Sequence, residues 1–138
     1  MTDYELIKIA VKAREMSYSP YSGFKVGAAL LCKNGKVYTG CNIENAAYTP
    51  TNCAERTAVF KAVSEGEREF LAIAIVGGKG NTLNDLCAPC GVCRQVLCEF
   101  CDGDFRIVLG TPESIKTVTL GDILPYSFGK GDLGENKL

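Results

Sequence analysis

Cys53, Cys90 and Cys93, with Glu55 two places after the first of them, are the residues of this chain best suited to chemistry. Three thiolates can occupy three corners of a zinc tetrahedron and leave the fourth to solvent. Three protein ligands with an open position characterise a catalytic zinc, whereas a structural zinc is closed by a fourth ligand. A carboxylate beside the open position can take a proton from water and hand it on. The sequence has no histidine, so a transition-metal site here must be built from sulfur, with or without carboxylate. Acid–base work falls to Glu and Asp for the same reason.

Two other readings of the cysteines compete with this one. Cys87, Cys90, Cys93 and Cys98 are spaced C-x2-C-x2-C-x4-C, near the bacterial iron–sulfur run C-x2-C-x2-C-x3-C-P. The last gap is one residue too long, Glu99 stands where the proline should, and Cys53-Ala54-Glu55 would have no task. A structural zinc module would close the fourth corner with another thiolate, Cys87 for instance, and would not need Glu55. Cys32, Cys41, Cys98 and Cys101 fall in strand or helix patterns and are expected to be packing residues, and Cys87 a free buried thiol.

Glu55 and Arg56 each have an ordinary alternative. A Glu in the first turn of a helix usually only complements the dipole, and an Arg three residues after Cys53 can be a plain surface charge. Next to a metal their meaning changes. Three thiolates against Zn²⁺ leave a site charge of −3 + 2 = −1, which polarises water weakly. A guanidinium donating to the Cys53 sulfur would withdraw negative charge and help the water ionise.

The elements that must position these groups follow from periodicity. Leu6, Ile7, Ala10, Val11 and Ala13 predict an amphipathic helix from Asp3, its expected cap, to about Ser17. Lys25 to Cys32 and Lys36 to Cys41 read as a hairpin about Asn34-Gly35. Asn42 to Asn52 is a polar loop, and Cys53 to about Ser64 a helix closed by Gly66. Phe70 to Val76 is a continuous apolar run, expected to be a strand buried on both faces. A helix from Cys90 to about Phe100, introduced by Pro89, and strands at Phe105–Leu109 and Ser114–Thr119 complete the order. This alternation predicts an α/β fold on a mixed sheet, with Cys53 and the Cys90/Cys93 pair at two helix starts. Both starts favour thiolate, by about 0.3–1 kcal/mol each, through free N–H groups and the helix dipole.

The 138 residues suit one domain, 1–138, with a flexible tail from about 129. Hydrophobic residues are 46% and charged residues 22%, enough for a true core and against disorder. Net charge is −1 with no Lys/Arg cluster, which argues against a long nucleic acid as partner. No apolar run approaches the roughly 18 residues of a membrane span. The acidic start, Met1 to Glu5, is unlike a secretory signal, so a cytoplasmic location and reduced thiols are expected.

Taken together, Val26-Gly27-Ala28-Ala29, Gly40 to Tyr48 (GCNIENAAY), Cys53 to Ala58 (CAERTA), Ala88 to Leu97 (APCGVCRQVL) and Leu124 to Phe128 (LPYSF) resemble the small cytidine deaminases of nucleoside salvage. The matches run in order over nearly the whole chain. The resemblance implies a three-layer α/β/α sandwich around a five-stranded mixed sheet. It implies one Zn²⁺ per chain on Cys53, Cys90 and Cys93, with Glu55 as the proton carrier that lets water replace the 4-amino group. It further implies that Asn42 and Glu44 grip the ribose 3′-hydroxyl, that Phe24 packs near sugar and base, that the Ala54 N–H meets the base carbonyl, and that Tyr48 touches substrate. Phe128 would stack over the base in a neighbouring subunit of a homotetramer. Ala88 departs from the Ser or Thr of many relatives, at a position where the contact is through backbone. An aminonucleoside-antibiotic deaminase on the same scaffold is the nearest rival, and the Asn42/Glu44 pair favours cytidine over it.

Overall fold

The structure, a computed structural model, describes residues 1–134; the last part of the expected tail, 135–138, lies outside them. Five strands form one mixed sheet in the order β2-β1-β3-β4-β5, with β1 Phe24–Cys32, β2 Val37–Cys41, β3 Phe70–Lys79, β4 Arg106–Thr111 and β5 Ser114–Thr119. β1 pairs antiparallel with both β2 and β3, β3 pairs parallel with β4, and β5 returns antiparallel. Helices cover both faces, which gives the three-layer sandwich expected from the sequence.

Alternation along the central strands builds two cores. Ala28 and Leu30 of β1, with Ile73 and Ile75 of β3, face α2 (Ala54–Ser64) and α3 (Gly91–Phe100). Ala29 and Leu31, with Ala72, Ala74 and Val76, face Leu6, Ile7 and Ala10 of α1 (Asp3–Ala13). A strand covered on both faces has no polar side, which is why β3 reads as an unbroken apolar run.

This topology fixes where the thiols meet. β2 and β3 both run antiparallel to β1 and therefore point the same way. Each leads through a loop into a helix on the same face of the sheet, α2 after β2 and α3 after β3. The two helix N-termini consequently emerge at one edge of the sheet, the usual place for a site in an α/β layer fold. Gly40 lets α2 lie close on β2, since a Cβ there would sit 2.3 Å from the Ala54 carbonyl oxygen.

Element boundaries differ from the sequence reading in several places. Thr2, not Asp3, caps α1 by accepting from the Glu5 N–H at 3.1 Å. Asp3 is drawn instead to Arg106 at 2.6 Å and to the Thr117 hydroxyl at 2.8 Å, partners more than a hundred residues away. The α-helix stops at Ala13, and Arg14–Met16 continues as a 3₁₀ turn. β3 extends to Lys79, three residues beyond the apolar run. A four-residue helix α4, Leu120–Ile123, is nucleated by a reciprocal Thr119/Asp122 cap. Within the expected tail, Lys130–Leu133 forms a 3₁₀ turn.

Candidate metal centre

Cys53 is the N-cap of α2 and Cys90 the N-cap of α3, both in extended backbone, so each helix begins one residue later than its cysteine. Neither cap sulfur accepts a backbone N–H of the helix it starts, which leaves the sulfurs free for other partners. Cys93, buried, follows in the first turn of α3. The three sulfurs lie within 4.8 Å of one another, and Cys53 and Cys90 are 3.7 Å apart. That separation is far beyond the roughly 2.05 Å of a disulfide. It matches the edge of a tetrahedron with metal–sulfur bonds of about 2.3 Å, roughly 3.8 Å. Among the described residues no fourth His, Cys, Asp or Glu joins the group. The donor set therefore fits one Zn²⁺ with a vacant corner; it fits neither a closed structural site nor the four-thiolate cluster pattern.

Electrostatics at the bare thiols are polarised. The Cys53 thiol is pulled down to about 5, first by the hydrogen bond from Cys93 and, against the cost of burial, by those from Arg56 and Cys90. Cys93 moves the opposite way, raised by the same Cys53 bond and by burial, so one proton is shared on the Cys93 side. Arg56 donates from Nη2 to the Cys53 sulfur at 3.3 Å. Burial disfavours its charge, yet the Cys53 and Cys93 sulfurs outweigh that and raise its pKa. Its Nε is buried with no partner among the described residues, so this cation is aimed at sulfur and little else. A half-buried guanidinium against a sulfur cluster favours anionic thiolate there.

Glu55, 4% exposed, follows at the second position of α2. Burial pushes its carboxyl up to about 7, with the Cys53 charge adding to the effect. A carboxyl that exchanges its proton near neutrality is suited to shuttling. Cys53, Ala54, Glu55 and Cys90 line a cavity of about 250 Å³ whose opposite wall is Phe24, Val26, Asn42 and Glu44. A larger cavity of about 610 Å³ lies along the outer face of α1 and contains no thiol. The chemistry is in the smaller one.

The wall residues are held by contacts far apart in sequence. Asn42 accepts on Oδ1 from the Val26 N–H at 2.9 Å and from the Ser17 hydroxyl, and donates from Nδ2 to the Phe24 carbonyl at 2.8 Å. One Nδ2 hydrogen remains for a ligand. Glu44 accepts from the Tyr21 and Ser22 N–H groups at 3.0 and 3.1 Å and from the Ser22 hydroxyl. The Ser22 hydroxyl bond, opposed by burial and helped by the two N–H groups, lowers its pKa and keeps it anionic.

Not every expected residue converges on the thiols. Tyr48, 75% exposed with φ +62°, lines an adjoining cavity of about 400 Å³ that shares Ser22, Glu44 and Thr51 with the first. Phe128, 60% exposed, does not line this chain's own cavity; its carbonyl accepts from Gln95 Nε2 of α3 at 2.7 Å. Cys32 is in the core, Cys98 and Cys101 pack against it, and Cys87 joins the cavity lining. Sequence reasoning missed Ser17, Ser22 and Val26. Nothing local marks them, because their partners come from other elements.

Comparisons with known proteins agree with this geometry. The family model described as the cytidine and deoxycytidylate deaminase zinc-binding region matches residues 1–111. A cytidine deaminase of Sporosarcina psychrophila is 51% identical over 130 residues, covering 94% of this chain and 93% of that one. One from Halalkalibacterium halodurans is 50% identical over 131 residues, covering 94% and 96%. Among solved structures, a cytidine deaminase from Burkholderia pseudomallei superposes with TM-score 0.85 at 48% identity, covering 93% of this chain and all of that one.

Proposed function

The chain belongs to the cytidine and deoxycytidylate deaminase family, and we propose that it hydrolyses cytidine and 2′-deoxycytidine to uridine and 2′-deoxyuridine, releasing ammonia, in pyrimidine salvage. The observation that carries this reading is the three-sulfur group with its vacant corner beside a carboxyl whose pKa is raised to about 7.

Cys53, Cys90 and Cys93 would hold Zn²⁺, which would supply the Lewis acidity that makes water reactive at neutral pH. Glu55 accepts a proton from the attacking water and gives it to N3 of the pyrimidine, which makes C4 the electrophile. As the C4–N4 bond breaks, Glu55 carries the second water proton to the departing amine. Water and cytidine thus become uridine and ammonia, and the carboxylate is regenerated. Arg56 moderates the charge of the thiolates through Cys53.

The remaining residues bind. Ala54, at the first turn of α2, offers its N–H to the base carbonyl. Asn42 directs its spare N–H, and Glu44 its carboxylate, at the ribose 3′-hydroxyl. An anionic Glu44 repels a phosphate, which favours the free nucleoside over deoxycytidylate. Phe24 packs beside sugar and base. Phe128, exposed on its own subunit, reaches the active site of a neighbour in a homotetramer, and Tyr48 extends the site from the adjoining cavity. Among the described residues no helix is long and apolar enough to cross a membrane.

The test is direct. Purified protein given cytidine should lower ultraviolet absorbance and release ammonia one for one, with one zinc per chain by metal analysis. A Glu55→Gln enzyme should keep its zinc and lose turnover. Full turnover in that variant, or no ammonia from the wild type, would reject the reading.

A further inference from the structure

Arg14 is a buried cation outside the chemistry just described. It lies in the 3₁₀ turn after α1, 9% exposed. Nε donates to the Lys25 carbonyl at 2.8 Å, and Nη2 to the carbonyls of Gly78 and Gly80 at 2.8 Å and of Thr82 at 2.6 Å. Among the described residues, ion pairs join Lys33 to Glu69 and Arg106 to Asp3, and none includes Arg14. Four carbonyls from two segments thus converge on one guanidinium, with the two Nη2 hydrogens shared among three of them. The turn after β3 is folded tightly to present them: a Cβ on Gly78 would lie 2.3 Å from the Thr82 oxygen. The bonds leave from two separate nitrogens in one plane, Nε toward β1 and Nη2 toward the turn, whereas an ammonium donates from a single point.

The identity of the clamped carbonyls gives this contact a consequence for binding. Lys25 and Gly78 are a paired rung of β1 and β3, flanked by Phe24 opposite Lys79 and Val26 opposite Gly77. Phe24 and Val26 line the cavity that holds Glu55 and the thiols. Asn42 grips this stretch at the Phe24 carbonyl and the Val26 N–H, and Arg14 grips it at the carbonyl between them. At Gly77 the Cys87 sulfur, a Val26 methyl and the Phe24 ring edge converge, 2.6, 3.1 and 3.2 Å from where a Cβ would stand. The Phe24 ring and the Val26 methyl are thus packed against the β3 backbone beside the clamped rung.

We propose that Arg14 is a positioning residue for the nucleoside, setting the pitch of the Phe24–Val26 wall by clamping Lys25 to the turn after β3. This rests on the proposed nucleoside reading, so wild-type turnover of cytidine is measured first, and its absence would overturn that reading. With turnover in hand, Arg14→Lys, which keeps the charge but loses the two-point planar fork and its reach, bears on Arg14 alone. Its KM for cytidine should rise about 3- to 10-fold, the loss of one or two hydrogen bonds, while kcat stays within about twofold and zinc content is unchanged. Phe24→Ala should raise KM as well, and Phe24→Ala with Arg14→Lys should be no worse than Phe24→Ala alone, because both act through one ring. A wild-type KM in Arg14→Lys, a loss confined to kcat, or KM increases that multiply in the double variant would overturn the assignment. Arg14→Met, if it folds, should raise KM beyond Arg14→Lys, and a smaller rise would count against it; if it does not fold, the Arg14→Lys series decides.

Discussion

Arg56 Nη2 stands 3.3 Å from the sulfur of Cys53, reaching back across the first turn of α2 from a position three residues later. The contact joins a half-buried cation to the thiolate that caps the helix. Replacing Arg56 with Ala leaves the site charge of −1 uncompensated, so its water should ionise less readily. The kcat of Arg56→Ala should fall about 10- to 100-fold, the usual cost of losing a group that tunes a metal ligand. Steady-state kinetics beside metal analysis checks this. Full activity with full zinc would show that Arg56 is only a packed surface charge.

The raised pKa of Glu55 makes a prediction for the metal-free protein. Its folded carboxyl titrates at about 7 against an ordinary 4.5, so between those values the folded state holds a proton that the unfolded state has lost. Stability from this group is complete below about pH 4.5 and is lost as pH rises toward 7. Cys53, depressed from 9.0 to about 5, adds stability as pH rises from about 5 to 9 and so opposes Glu55 between about 5 and 7; the wild-type curve alone is not diagnostic. The comparison with Glu55→Gln isolates the carboxyl. The variant should gain on the wild type by up to about 3 kcal/mol between pH 4.5 and 7. Urea unfolding of both chelated proteins at several pH values measures it; parallel curves would mean that Glu55 is not buried as the structure has it.

How much of this was readable beforehand depends on the range of each interaction. Cys53 and Cys90 were legible because a cap and the helix after it are local, and because alternating strands and helices predict that helix starts share one edge. The apolar run of β3 was legible for the same local reason. Asn42 was placed at the sugar by resemblance, but its grip on Val26 and Phe24 depends on residues 16 and 18 positions away. Nothing local marks Arg14, since its carbonyl partners Gly78 to Thr82 lie 64 to 68 residues on. Asp3 looked like a cap until Arg106, 103 residues away, claimed it. α4 is a single turn held by its cap and is too short to show periodicity.

Chelation should expose a graded set of thiols. In the zinc-free protein Cys53, at about 5, is a thiolate at pH 7 and partly accessible, whereas burial pushes Cys87 to about 11 and Cys101 to about 12. Alkylation at pH 7 followed by peptide mass mapping should label Cys53 well before Cys87 and Cys101. Zinc added beforehand should protect Cys53, Cys90 and Cys93 together and restore turnover. Protection of Cys87 along with those three would reveal a closed, four-thiolate site instead.

Asn42 and Glu44 should separate into different phenotypes although both are proposed to bind one sugar hydroxyl. Asn42 is 9% exposed and satisfies a strand N–H and a strand carbonyl, so Asn42→Ala removes ligand binding and leaves both backbone groups unpaired. Its unfolding free energy should drop by about 2–4 kcal/mol, from one to two unsatisfied buried groups, and KM should rise with it. Glu44 bonds only exposed loop groups, Tyr21 and Ser22, so Glu44→Gln should unfold near the wild-type midpoint. Its KM should nonetheless rise about 10-fold or more through loss of a charged acceptor for the sugar hydroxyl. Kinetics and denaturant melts of the two variants together check the split. Equal stability of both would show that the Asn42 bonds to β1 are dispensable, and an unchanged KM in Glu44→Gln would remove that carboxylate from the sugar.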